Sequence, residues 1–374
     1  MALCYLLPLL GGWIADRYLG KYRTIVYFSI PYILGHIILG AFSVEYFLYI
    51  ALLLLALGSG AIKPNTSTLM GLMYEEQCKP ELLTEAFSYF YLSINIGAMI
   101  SSFALPVIRN AYGYRVALMI PTVLMVMALG IFILGRRHYP REIRQRLSPE
   151  DSEGTATARR QVLRSLAAVF GLIALFWFVY DQNSTTWVYF TRQDMTMQLW
   201  PLDITLTPDQ IQGINPLLIV FLTPLFNATW NALTTHRGVE IPAAQKMLYG
   251  FWLIAICTGV MSLAGFVSAS GKVSVWLIVI ATIIMTLAEL CVSVVGLQYA
   301  FTKASAEMKS TVMAAFLFTA FFGDGIAAGY DQLWGVLSHG QYFGIQATVM
   351  IMASLAFGLI TRKERRQSIV MSHD

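Results

Sequence analysis

Apolar stretches of about twenty residues, the length that crosses a bilayer as a helix, recur along nearly the whole chain. Eleven can be read, roughly at 1–16, 24–43, 45–63, 84–108, 115–135, 162–190, 211–234, 245–268, 273–301, 310–330 and 339–361. They leave no room for a separate soluble domain. Over 374 residues the chain is 57% apolar and only 12% charged, against about 25% charged in soluble globular proteins. The fold class expected is an all-α membrane protein.

The first of these spans is short. Only Met1 to Ile14 precede Asp16 and Arg17, too few residues to cross. No basic region opens it and no cleavage site closes it, so it does not read as a signal peptide. It reads as a helix already in progress, with the expectation that a further helix precedes it. Loop charges test that expectation, because Lys and Arg collect in cytoplasmic loops. Alternate loops and the tail hold 20 of the 25 basic residues; the opposite loops hold Arg109, Arg115, Arg192 and Lys272, and Lys63 lies within a span. The first loop and the C-terminal tail are then both cytoplasmic. One additional upstream helix would give twelve spans with both ends inside.

The longest hydrophilic stretch, residues 136–161, is charged, contains Pro, Ser and Gly, and lacks apolar periodicity. It is expected to be a cytoplasmic linker. It separates an N-terminal helical half, 1–135 (helices 2–6 of the implied twelve), from a C-terminal half with tail, 162–374 (helices 7–12). Two six-helix halves joined this way resemble the major facilitator superfamily, whose substrate sites lie near the midplane between the halves.

Ionisable side chains at lipid depth cost at least about 2.5–3.5 kcal/mol at a helix centre, so each marks a candidate site. Lys63 lies in LGSGAIKPNTSTLMG. Its small neighbours Gly58, Ser59, Gly60 and Ala61 let another helix approach closely, and Pro64 bends the helix beside it. The next loop begins near Tyr74, about 15 Å away along a helix and beyond a lysine's reach. Asp181 lies in ALFWFVYDQNSTTWVYF, one turn after Trp177. That helix could end at Tyr180, but the aromatic residues beyond favour its continuation. Glu289 lies in ATIIMTLAELCVSVVGLQYAF, with Ser293 one turn on. A lysine and two carboxylates from three helices suit a zwitterion, and a buried unpaired carboxylate suits proton coupling. Asp324, between glycines, is a lesser candidate; Glu45, Glu85 and Asp331 lie at span edges and are expected to be solvated.

Nothing in the sequence signals catalysis: there is no P-loop, HExxH or nucleophile–base pairing. The four cysteines have no paired spacing, and no metal site or disulfide framework is expected.

The motif GGWIADRYLGKYRTI, residues 11–25, resembles the loop between helices two and three of the major facilitator superfamily. More specifically, it is similar to the first signature of the proton-dependent oligopeptide transporter family. AFSYFYLSINIGAMIS, residues 86–101, resembles that family's second signature, FYxxINxG. GSGAIKPNTSTLMG, FWFVYDQ, INPLLIVFLTPLF and AELCVSVVGLQY are similar to its fourth, seventh, eighth and tenth helices, in order along the chain.

The resemblance implies eleven of the usual twelve transmembrane helices, no hairpin between the halves, and no ExxER motif, which the family carries on its first helix. It implies a symporter that imports di- and tripeptides with protons by alternating access. Asp16 and Arg17 would latch the cytoplasmic gate. Lys63 would meet the peptide carboxylate. Asn95 and Asn215 would bond peptide backbone groups. Glu289, beside Ser293, would hold the peptide amino terminus. Trp177 and Tyr5 would line a pocket, and Asp181 would join the extracellular gate and proton pathway. No cofactor beyond the coupling proton and no nucleic-acid partner is implied. A monomer in a bacterial inner membrane is expected, multi-pass, with its C-terminus cytoplasmic. Two alternatives stay open: a carrier of another solute in the same fold, and a transport-inactive family member.

Overall fold

A computed structural model describes residues 2–42, 44–77, 79, 82–140, 149–199, 201, 204–205, 208–238 and 241–371. Helices dominate: α1 Ala2–Ile14, α2 Lys21–Ala41, α3 Glu45–Glu76, α4 Leu83–Leu134, α5 Pro149–Tyr180, α6 Thr186–Asp194, α7 Pro208–Arg237, α8 Ala243–Val267, α9 Trp276–Glu289, α10 Val295–Lys303, α11 Lys309–Tyr330 and α12 His339–Met371. Each of the eleven expected spans is helical. Nine helices among the described residues are long and apolar enough to cross a membrane.

Three local departures from a plain helix matter. Gly113 interrupts α4 with φ 84°, a conformation that glycine adopts without a Cβ clash. Thus α4 is two helices end to end, matching the two spans read at 84–108 and 115–135. Five-residue π turns occur at Ala15–Leu19 and Leu290–Val294. Such turns collect at functional positions, because an extra residue in the turn redirects the side chains around it. The first π turn carries Asp16 and Arg17; the second immediately follows Glu289. A 3-10 turn, Asp181–Ser184, separates α5 from α6. The span read at 162–190 is therefore broken at its polar residues and then resumes.

Chain contacts group the protein into two compact units. One comprises Met1–Phe90, Gly97–Leu166 and Leu297–Phe321; the other comprises Tyr91–Ile96, Ala167–Gly296 and Phe322–Asp374. In the first unit, small residues bring helices close, as the Gly58–Ala61 stretch predicts. A Cβ on Gly60 would lie 2.6 Å from that of Leu7, so α1 and α3 touch through backbone. Asn65 ties them, donating to Gly11 O at 3.2 Å and Ala61 O at 2.7 Å. In the second unit, α9 and its π turn form a buried centre, with Ile278, Ala281, Met285, Ala288, Leu290 and Val292 almost inaccessible. Cys257 and Cys291 are buried free thiols there. Residues 149–161, within the stretch read as linker, form the start of α5.

Candidate functional site

Glu289 closes α9 and is 2% exposed. Its Oε1 accepts a hydrogen bond from the Tyr91 hydroxyl. Its Oε2 accepts one from Asn215 Nδ2 at 2.8 Å. The same amide nitrogen donates to Thr286 Oγ1 at 3.1 Å, which fixes its rotamer. The Tyr180 hydroxyl donates to Asn215 Oδ1 at 3.4 Å and also reaches Glu289. Every one of these donors is neutral. Among the described residues no lysine or arginine pairs with Glu289, so nothing there offsets the cost of removing a carboxylate from water. A cationic ligand group or a proton would offset it.

Other expected site residues surround this carboxylate within the same unit. Asn95, 8% exposed, donates to Tyr91 O at 2.9 Å, one turn back, and so stands beside the tyrosine that holds Glu289. Ser293 is buried on the π turn that follows. Trp177 lies edge-on to Tyr180, with ring centroids 5.3 Å apart. Its indole nitrogen is buried without an acceptor, a donor left for something else to satisfy. Asp181 has Asp324 of α11 and Glu289 as electrostatic neighbours, and its Oδ2 is buried without a hydrogen-bond partner among the described residues.

Asp331, expected to be solvated, is instead part of a polar network. Gln182 donates to its Oδ1 at 2.9 Å, and the Tyr342 hydroxyl does so at the same distance. The Gln182 carbonyl accepts from Thr186 at 2.7 Å and lies 2.7 Å from the Tyr342 hydroxyl, whose single proton it shares with Asp331. A span-edge position in sequence gives no sign that α12 reaches back to cover it.

The remaining candidates belong to the other unit. Asp16 Oδ2 accepts from the backbone and hydroxyl of Thr311, at 2.7 and 2.8 Å, and Oδ1 from the Ser310 backbone at 3.3 Å. These are first-turn N–H groups of α11, which lack intrahelical partners. Lys21 Nζ lies 3.4 Å from Asp16 Oδ1, and Lys309 pairs with Glu75 at the end of α3. The Arg17 guanidinium lies 6.0 Å over the rings of Trp13 and Tyr18. Lys63 is exposed at the middle of α3; its carbonyl accepts from Ser67 Oγ at 3.3 Å, and its side chain makes no hydrogen bond or ion pair with a described residue. Tyr5 lies in α1, and its side chain is outside the described residues.

Sequence reading missed Tyr91 and Tyr180. Both were visible: Tyr91 is the tyrosine of the FYxxINxG signature, and Tyr180 immediately precedes Asp181.

A family model described as the POT family matches residues 22–152 and 143–345. The chain belongs to the POT family. Solute carrier family 15 member 2 of Homo sapiens is 32% identical over 307 residues, covering 69% of this chain and 42% of that protein. Peptide transporter family 1 of Drosophila melanogaster is 29% identical over 300 residues, covering 68% of this chain and 40% of that protein. The chain thus spans about four tenths of the length of these curated relatives. Among solved structures, the POT family transporter PepTSo is 25% identical with a TM-score of 0.70, covering 98% of this chain and 88% of that one. A POT family transporter in complex with a thioalcohol conjugated peptide is 22% identical with a TM-score of 0.74, covering 97% and 86%. The fold is the helical membrane fold of the POT transporters of the major facilitator superfamily, and the protein is a multi-pass membrane protein.

Proposed function

We propose that this POT family member is a proton-coupled symporter that carries di- and tripeptides into the cell by alternating access. The moving parts are the helical halves 1–135 and 162–374, joined through 136–161. The observation that carries the reading is Glu289: a buried carboxylate held in place by neutral donors, with no cation among the described residues to neutralise it. An ammonium group or a proton completes that site. Glu289, with Ser293 beside it, takes the peptide amino terminus. Asn95 and Asn215 bond its backbone, and Trp177 and Tyr5 line a side-chain pocket. Lys63 takes the peptide carboxylate; its unpaired position in mid-helix is costly against lipid and favourable against water and an anion.

Asp181 serves the proton pathway and extracellular gate. Asp16, through the first turn of α11, and Arg17 serve the cytoplasmic one. When a proton neutralises a carboxylate that a gate or substrate depends on, the balance between conformations shifts, and this couples the two fluxes. Loop charge supports a cytoplasmic C-terminus, and the protein is placed in a bacterial inner membrane as a monomer, with no cofactor beyond the proton. The Drosophila relative is a peptide transporter by name, and a similar solved POT structure holds a thioalcohol conjugated peptide, which supports the peptide reading.

The test is competition. Uptake of a labelled dipeptide should be displaced by unlabelled di- and tripeptides and not by free amino acids, and Glu289→Gln should lose that displacement. Uptake indifferent to excess unlabelled dipeptide would assign the fold to another solute.

A further inference from the structure

Two arginines face an open groove at one end of the first unit. Arg23 stands in the first turn of α2, and Arg136 on the 3-10 turn Gly135–His138 that ends the helix after Gly113. With Tyr22, Val26 and Tyr27 they line about 400 Å³. Arg136 lies 5.4 Å over the Tyr22 ring. Tyr22 stacks on Phe132 at 5.3 Å, and Phe132 on Tyr139 at 4.8 Å. This aromatic stack gives one guanidinium a wall to rest on. Neither arginine has a carboxylate partner among the described residues, although Lys21, Lys309 and His339 elsewhere all do.

The surroundings state which anion would fit. Both arginines sit where membrane-length helices begin or end. Below them the surface is bare hydrocarbon: Tyr27 and Ile30 on α2 are 53% and 51% exposed, and Ile131 and Leu134 on the neighbouring helix 68% and 82%. A soluble anion would use only the upper part of such a site. A lipid would use both, with its phosphate on the guanidiniums, its glycerol beside the tyrosines and its acyl chains along the apolar flank.

We propose that the groove lined by Arg23, Arg136 and Tyr22 is a binding site for one anionic glycerophospholipid. Two cations with no carboxylate partner among the described residues select against zwitterionic headgroups, whose own ammonium would be repelled. The site shares no residue with the Glu289 cluster and does not depend on what the protein transports.

Native mass spectrometry of the intact chain, titrated with phosphatidylglycerol, phosphatidylcholine or glycerol 3-phosphate, tests this. The wild type should hold phosphatidylglycerol in preference to the other two. Each basic side chain near an anionic headgroup contributes about fivefold, so Arg23→Gln with Arg136→Gln should weaken binding about thirtyfold. Arg137→Gln, outside the groove, should leave it unchanged, and the double Arg→Lys variant should retain most of it. Should the double Gln variant misfold, each single variant reports about a fivefold loss. Equal binding of phosphatidylglycerol by wild type and the Gln variants would overturn the site. Equal binding of phosphatidylcholine would overturn the charge selection, and displacement by glycerol 3-phosphate alone would overturn the lipid.

Discussion

Thr311 gives both its backbone N–H and its hydroxyl to one carboxylate oxygen, Asp16 Oδ2, at 2.7 and 2.8 Å. The two residues are almost three hundred positions apart. Nevertheless, Asp16 does for α11 what a capping residue does locally, and its charge opposes the positive end of the helix dipole. Asp16→Asn keeps the shape and loses the charge, whereas Asp16→Ala loses the acceptor as well. Hydrogen exchange should quicken at residues 310–312 in both, about fivefold or more in the alanine variant, from a cap worth about 1 kcal/mol. Unchanged exchange there would mean that the contact carries no load.

The same junction predicts a steric result. A Cβ on Gly12 would stand 2.5 Å from Ser310 O, a backbone atom that cannot swing aside. Gly12→Ala should therefore lower the melting temperature and release the α11 start. Gly130→Ala, where a Cβ meets nothing within 4 Å, should leave both unchanged or raise stability slightly. Comparing the two variants in one detergent separates packing from helix propensity.

Tyr91→Phe removes one donor from Glu289 without changing the ring. Hydrogen bonds to charged groups contribute about 1.5–3 kcal/mol. Dipeptide affinity should therefore fall by about tenfold to a hundredfold, with folding intact by circular dichroism. Tyr180→Phe should cost less, because its hydroxyl is 3.4 Å from Asn215 and supports Glu289 partly through that amide. A larger loss in Tyr180→Phe would reverse the assigned order.

The helices and their main polar positions could be read directly. An apolar run with a single acid, such as that around Glu289, has few explanations other than a site, and the GGWIADRYLGKYR motif marked Asp16. The partners were harder to see. Tyr91 and Tyr180 are two of 19 tyrosines, and an aromatic ring in an apolar helix looks the same whether it meets lipid or a carboxylate. Glu75 and Lys309 lie where hydropathy falls, and nothing in the sequence pairs them. Only the fold pairs the end of α3 with the start of α11. Asp331 read as solvated for the same reason: burial of a polar residue at a span edge depends on which helix covers it. The continuation beyond 181–184 was legible from the aromatic residues that follow, but not that a 3-10 turn breaks the helix at its polar run.

Two neighbouring carboxylates repel, so each influences the ionisation of the other. Asp181 and Asp324 are electrostatic neighbours. Asp181→Asn and Asp324→Asn should each change the pH profile of uptake, and the double variant should resemble the singles instead of adding them. Additive effects would show that the two acids titrate independently.

The central claim is that an inward proton gradient drives peptide entry and that this entry depends on Lys63 and on Glu289. Uptake of a labelled dipeptide by the purified protein in vesicles, acidic outside, measures it directly. The account predicts accumulation that disappears when a protonophore collapses the gradient, and that Lys63→Ala abolishes. Uptake that persists unchanged through either manipulation would contradict it.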